Sequence, residues 1–207
     1  MKTTTLMRFY AVFALVILLS TPTRSQTVVT FDDLVDNGAG TLITNAYQGL
    51  TWSNFGVVNA ILASNASGYS AGYGYGMVSP SNVCFNWAGN PAEIDARGTN
   101  FDLISTYLTG AWNSNLNIEV QGFRGGTLLY NTTVVASATS PTLFTFDYLD
   151  IDRLYFDSYG GQPAFGNDSP NFVMDNMTIE FIPEPSSLLL TVLGVVTLWA
   201  FVKRRRV

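Results

Sequence analysis

The sequence predicts an all-β fold, an antiparallel β-sandwich of jelly-roll-like type, on three observations. Short runs rich in Val, Ile, Thr, Tyr and Phe recur between clusters of Gly, Asn, Asp, Ser and Pro across residues 26–182. That is the spacing of a sandwich or barrel rather than of alternating strands and helices. Away from the two ends no long segment carries the 3.6-residue period of an amphipathic helix. No internal repeat points to a propeller or a solenoid.

Taken in order, the strand-like runs are TVVTF, LTWSNFGVV, GMVSP, FDLISTYLTGAW, NIEVQGF, TLLYNTTVV, PTLFTFDYL, RLYFDSY and FVMDNMTIEF. In NIEVQGF, Ile118, Val120 and Gly122 face one way and Glu119, Gln121 and Phe123 the other, as in a half-buried antiparallel strand. FRGGTLLY reads as a hairpin in which Gly125 and Gly126 supply the positive φ of a tight turn.

Both ends differ from this pattern. Lys2 and Arg8 precede an apolar stretch, Phe9 to Leu19, and then a small and polar run from Ser20 to Ser25. This is the order of a secretory signal peptide, with signal peptidase cutting after Ser25, so residues 1–25 are set apart from the fold. The apolar stretch is shorter than the about 20 residues that a membrane span needs. Residues 26–182 then form one domain, and a chain of roughly 150 residues buries enough surface to fold without staples.

Cys84 is the single cysteine, so no intramolecular disulfide forms even in an oxidising compartment. We read it as a small buried apolar thiol, because the chain contains no His to act as its base. Within residues 26–182, Arg97, Arg124 and Arg153 face fourteen Asp and Glu, a net charge of −11. Such a surface repels phosphate backbones and excludes nucleic-acid binding.

The C-terminal sequence runs Pro183-Glu184-Pro185, Ser186-Ser187, an apolar stretch from Leu188 to Val202, and the cluster Lys203, Arg204, Arg205, Arg206. In its parts and their order this ending, residues 183–207, resembles the PEP-CTERM sorting domain of exported bacterial proteins. FDDL, YQGLTWSNFGVVNA and FVMDNMTIE are similar to the ectodomains that accompany such tails. The resemblance implies recognition of the Pro-Glu-Pro motif by an exosortase, cleavage near it, and transfer or release to the cell surface or extracellular matrix, in a species that exports polysaccharide.

The physical parts of the tail agree. Fifteen residues from Leu188 to Val202 make about 22 Å of helix at ~1.5 Å per residue. That is short for a hydrocarbon core of about 30 Å unless Ser186 and Ser187 enter its edge. The four cations stay on the cytoplasmic side of the inner membrane by the positive-inside rule, which leaves the domain outside. Pro183 and Pro185 block helix extension and keep Glu184 in extended backbone that an enzyme cleft can bind. The competing reading is a permanent single-pass anchor; the triplet favours a transient one.

For the domain's activity three classes compete. With His absent, carboxylates are the acid and base groups left for catalysis. Asp147, Asp150, Asp152 and Asp157 lie in FDYLDIDRLYFD, and a carboxylate pair hydrolyses glycosidic bonds. A solvated turn between two strands, with Arg153 giving local charge balance, is the favoured account of that cluster. The second class is glycan binding, in which aromatic faces stack on sugars. Tyr69, Tyr73 and Tyr75 in SGYSAGYGYGM, together with Trp87, are the candidates; Trp52 and Trp112 sit in strand-like runs that favour core packing.

The third class is a structural Ca²⁺ at Asp32, Asp33 and Asp175, which pairing of the terminal strands would bring together. Turn-capping by the same side chains is the favoured account, since no EF-hand spacing occurs. The triplets at Asn65, Asn131 and Asn176 match the N-glycan acceptor pattern and are read as chance plus turn chemistry. The resulting expectation is a non-catalytic surface or matrix protein, sorted by an exosortase, that contacts exopolysaccharide or envelope material.

Overall fold

The computed structural model describes residues 24–67 and 71–182, with backbone alone for 64–67. The fold is an antiparallel β-sandwich. Its strands are β1 (Ser25–Val29), β2 (Thr41–Leu42), β3 (Thr51–Ser53), β4 (Phe55–Asn59), β5 (Asn82–Asn86), β6 (Ala92–Asp95) and β7 (Phe101–Gly110). They continue with β8 (Asn113–Ser114), β9 (Leu116–Arg124), β10 (Thr127–Ala136), β11 (Thr142–Ile151), β12 (Arg153–Tyr159), β13 (Gln162–Pro163) and β14 (Phe172–Phe181). Sheet A runs β11-β7-β14-β5-β4-β2, with β1 also on β14, and sheet B runs β10-β9-β12-β6-β3. A two-stranded ribbon, β8 with β13, completes the set.

Alternation selects the inner faces. In β9, Leu116, Ile118 and Val120 are fully buried while Asn117, Glu119 and Gln121 stay half-exposed, so the period of two sends one set into the core. Gly125 and Gly126 adopt φ of 54° and 79°, and the expected hairpin joins β9 to β10 with Thr127 opposite Arg124. Between the sheets, Trp52 meets Phe31 and Phe55 edge-to-face at 5.6 and 5.5 Å, and Phe55 meets Phe156 at 5.7 Å. Each such ring contributes about 1.5–3 kcal/mol by burial, and the edge-on geometry suits the ring quadrupoles. Cys84 is fully buried in this core, and burial pushes its thiol well up.

β14 organises sheet A. β7 pairs with it from Phe172 to Phe181, whereas on its other side β5 takes Val173 and Met174 and β1 takes Met177 to Phe181. The junction between β5 and β1 falls at Asp175 and Asn176, where the register shifts and Asn176 takes a φ of 48°. β1 starts at Ser25, opposite Phe181, so the last residue assigned to the leader takes part in the sheet.

Three local expectations are corrected. GMVSP is not a strand: its segment crosses the sheet junction as turn and bend, because the Val78 and Ser79 N–H groups donate to Asp175 Oδ2 at 2.6 and 2.9 Å instead of to a ladder. The Tyr-Gly stretch, whose interleaved glycines suggest a loop, is part helical. Helix α1 (Ala60–Ser67) is capped by Asn59, whose Oδ1 accepts from Leu62 N–H at 3.0 Å, and α2 (Gly72–Tyr75) follows. Gly72 is required there, since a Cβ would stand 1.8 Å from the Gly110 carbonyl oxygen. Finally, Arg153 does not balance the aspartates of its own segment; the β12–β6 pairing delivers it to Glu93, at 2.9 Å.

Candidate functional site

Residues on the outer face of sheet A, beneath α1 and α2, form a second small core of Val58, Val83, Phe85, Ala111 and Val173. Beside it opens a cleft of about 330 Å³. Its floor depends on glycine. Gly56 on β4 stands opposite Phe85 on β5, and a Cβ there would lie 2.8 Å from both Phe85 Cζ and Trp87 Cε3. The missing side chain lets Phe85 lie across β4, and Trp87 stacks on it with centroids 5.5 Å apart and planes 27° from parallel. Tyr73 from α2 closes one end, edge-on to Phe85 at 5.6 Å and to Trp112 at 5.8 Å.

The opposite lip is the Gly38–Gly40 loop, with Gly38 and Gly40 at φ of 92° and 88°. Asp36 shapes it, accepting from Gly38 N–H at 2.6 Å, Thr41 Oγ1 at 2.8 Å and Asn59 N–H at 3.0 Å. Burial pushes the Asp36 carboxyl up, but these donors outweigh it and hold it below the usual carboxylate value. The aromatic wall presents apolar stacking surface of the kind a sugar ring packs on; of the polar groups lining the cleft, the Gly38 and Ala39 N–H groups donate to Asp36 and Asn37, and Asn171 Nδ2 donates to the Asn86 carbonyl.

Of the four expected aromatic contacts, Tyr73 and Trp87 come together in this cleft. Tyr73 is more wall than contact: burial pushes its hydroxyl up to about 12. Tyr75 lies apart, stacked on Phe165 at 5.8 Å and 12°, and Tyr69 lies outside the described residues. Trp52 is buried as expected, its Nε1–H donating to the Tyr47 carbonyl at 3.0 Å. Phe85 and Gly56, the glycine that admits it, escaped the sequence reading; the alternation in NVCFN was the signal for Phe85, with Val83 and Phe85 on one face and Cys84 on the other.

A second polar face, on the outside of sheet B, was also missed. Tyr155 on β12 sits between Glu93 and Gln121, and the next outward residue, Asp157, stands opposite Glu119. Arg153 lies over the Phe123 ring at 4.2 Å while paired with Glu93. Burial first, then the charges of Asp157, Glu119 and Glu93, raises the Tyr155 hydroxyl pKa.

The four aspartates of FDYLDIDRLYFD do not converge on one point. Asp150 Oδ2 is ion-paired with Arg124, and its Oδ1 accepts from Asn100 Nδ2 at 2.7 Å. Asp152 Oδ2 accepts from Gly125 N–H at 2.6 Å, locking the β9–β10 turn. Asp147 is exposed on β11 at φ 50°, and Asp157 belongs to the face of sheet B.

The candidate Ca²⁺ set, the less favoured reading of these side chains, is likewise not assembled. Pairing of β1 with β14 does bring Asp32 within electrostatic reach of Asp175, but Asp33 accepts from the Tyr47 hydroxyl at 2.7 Å. Asp32 accepts from Asn82 N–H at 2.9 Å, and Asp175 is occupied by the Val78 and Ser79 donors. Among the described residues no three His, Cys, Asp or Glu side chains converge on a metal position.

No protein-family model matches this chain, and no curated protein matches it. Solved structures are similar to it at a low level. The K1 cleaved adhesin domain of Lys-gingipain from Porphyromonas gingivalis W83 is 9% identical with a TM-score of 0.43, covering 78% of this chain and 99% of that one. CBM51 from Clostridium perfringens, in complex with methyl-galactose, is 10% identical with a TM-score of 0.36, covering 74% and 99%. TmCBM61 in complex with beta-1,4-galactotriose is 10% identical with a TM-score of 0.34, covering 66% and 90%. Likenesses at this level assign no ligand to this chain.

Proposed function

We propose that this chain is an exported, non-catalytic protein of the cell surface or extracellular matrix that binds a glycan, with exopolysaccharide or envelope polysaccharide as the ligand class. The observation that carries this reading is the cleft on sheet A, where Trp87 stacks on Phe85 over the bare backbone of Gly56. A sugar seated there stacks on Trp87 while backbone carbonyls of the Gly38–Gly40 loop accept from its hydroxyls. A carboxylate-dependent hydrolase is disfavoured, because Asp150 and Asp152 are committed to Arg124, Asn100 and Gly125. A glycan array probed with the full chain and with Trp87→Ala tests the reading: binding by the parent alone supports it, and equal binding by both, or none by either, rejects it.

Sorting is part of the same proposal and rests on sequence. Pro183, Glu184, Pro185, the apolar stretch to Val202 and the Lys203 to Arg206 cluster lie outside the described residues, as does the leader before Arg24. Among the described residues no helix is long and apolar enough to cross a membrane. In this reading signal peptidase removes the leader, the apolar stretch holds the protein transiently in the inner membrane, and an exosortase cuts near Glu184. Mass spectrometry of the mature C-terminus in the native host decides it: loss of residues beyond the motif is expected, and an intact tail overturns the scheme in favour of a permanent anchor.

A further inference from the structure

Apart from β1, which pairs with β14 alone, the lateral edges of the sandwich are built unequally. On one side the edge strands are β2 and β3, of two and three residues, short enough to offer little to a foreign strand. On the other side the edges are β10 and β11, of ten residues each. Short strands, prolines and lysines protect natural edges, and β10 has none of these. Its sequence, TLLYNTTVVA, carries no charge and no proline, and its one irregularity is a register shift near its start, between Leu128 and Tyr130.

β10 exposes three apolar side chains beside Thr127, Asn131, Thr132 and Thr133. Leu128, Leu129 and Val135 are 47%, 46% and 55% exposed, and Leu143 and Leu149 on neighbouring β11 are each 49% exposed. Among the described residues no strand pairs with the outer edge of β10, so a row of backbone N–H and C=O groups faces outward along it.

We propose that β10 is a self-association edge on which a second copy of this chain pairs antiparallel, β10 against β10, joining two copies of sheet B into one continuous sheet. Charge makes β10 a favoured meeting point for two copies. Residues 26–182 carry a net −11, so most approaches of two copies oppose carboxylates. Pairing across β10 places an uncharged strand against itself. A two-fold axis normal to the sheet satisfies the open backbone groups of both copies at once and closes the assembly at two. It also withdraws Leu129 and Val135 of each copy from water.

Disulfide mapping on the full chain tests this, because the native Cys84 is fully buried and leaves introduced thiols as the reactive ones. Single cysteines at exposed Asn131, Thr132 and Thr133 scan the centre of β10, and Thr41→Cys on β2 and Ser53→Cys on β3 serve as opposite-edge controls. Under mild oxidation a covalent homodimer is expected from at least one β10 position and from neither control. Leu129→Lys, added to the reactive variant, should abolish the cross-link while leaving the melting temperature within a few degrees. No homodimer from any β10 position, equal cross-linking at β2 or β3, or an adduct whose mass is that of another protein overturns the proposal. The readout is independent of glycan binding, so either idea can fail alone.

Discussion

Tyr148 on β11 lies flat against Tyr130 on β10, with ring centroids 4.6 Å apart and planes 11° from parallel, and its hydroxyl donates to the Val120 carbonyl at 3.0 Å. One edge strand of each sheet is thereby joined across the side of the sandwich. The stack needs a gap in β9, which Gly122 provides: a Cβ there would stand 2.9 Å from Tyr148 Cδ2 and 3.2 Å from Tyr130 Cδ2. Gly122→Ala should therefore destabilise the fold by about 1–3 kcal/mol through overpacking. Tyr148→Phe, which keeps the ring and loses the hydrogen bond, should cost about 0.5–1.5 kcal/mol. Urea denaturation of both variants checks the order, and a neutral Gly122→Ala would contradict this account.

Asp175 gives a pH dependence of unusual sign for a carboxylate. Burial pushes its pKa up to about 6 from 3.8, with Asp32 adding to the rise and the Ser79, Val78 and Asn176 N–H groups opposing it. The folded state thus binds this proton more tightly than the unfolded chain does. Its contribution to stability grows as pH falls from above 6 towards 4, and is lost again as pH rises through about 6. The full swing is about 3 kcal/mol. Melts of the parent and Asp175→Asn between pH 7.5 and about 4.5 isolate it: the stability difference should shift in the parent's favour on acidification, and a constant difference would refute it.

Chelation should leave the melting temperature unchanged. The Asp32, Asp33 and Asp175 oxygens already accept from Asn82 N–H, the Tyr47 hydroxyl and the Val78 and Ser79 N–H groups. A ligand that binds the native state alone raises its stability, so removing a structural Ca²⁺ would lower the melt. A fall of several degrees in EDTA, restored by Ca²⁺, would show that these donors give way to a metal.

The cleft predicts a separation of binding from folding. Trp87→Ala removes a partly exposed ring and should weaken glycan binding about tenfold or more, ~1.4 kcal/mol, with a small change in the melt. Gly56→Ala pushes a methyl group to 2.8 Å from both Phe85 and Trp87, so it should reduce binding and stability together. Titration with the best glycan from the array, followed by tryptophan fluorescence, measures both; unchanged affinity in Trp87→Ala would remove the cleft as the site.

Asp150→Asn weakens the ion pair with Arg124, whose partners are 52% and 40% exposed. Its cost should stay near about 0–1 kcal/mol, as for surface pairs in general. Glycan binding should persist in this variant. Polysaccharide turnover by the parent that vanishes in Asp150→Asn would restore the hydrolase reading.

Much of the architecture is written in local pattern. Ile118, Val120 and Gly122 alternate with Glu119, Gln121 and Phe123, and that period of two declares both the strand and its buried face. Gly125 and Gly126 declare the turn because few other residues accept their φ. Trp52 declares its burial through the apolar run around it. GMVSP misled for the complementary reason: its residues suit a strand, but Asp175, nearly a hundred positions later, captures the Val78 and Ser79 donors that a ladder would have used.

By itself the sequence determined the fold class, the buried face of β9 and the acidity of the surface, because period, volume and charge are properties of neighbouring residues. Only the tertiary structure decided which distant groups meet: Trp87 on Phe85 over Gly56, Arg153 on Glu93, Tyr148 on Tyr130, and the exposure of β10 as an open edge. Those outcomes follow from strand order and register, which are set by how two sheets pack their whole inner faces together.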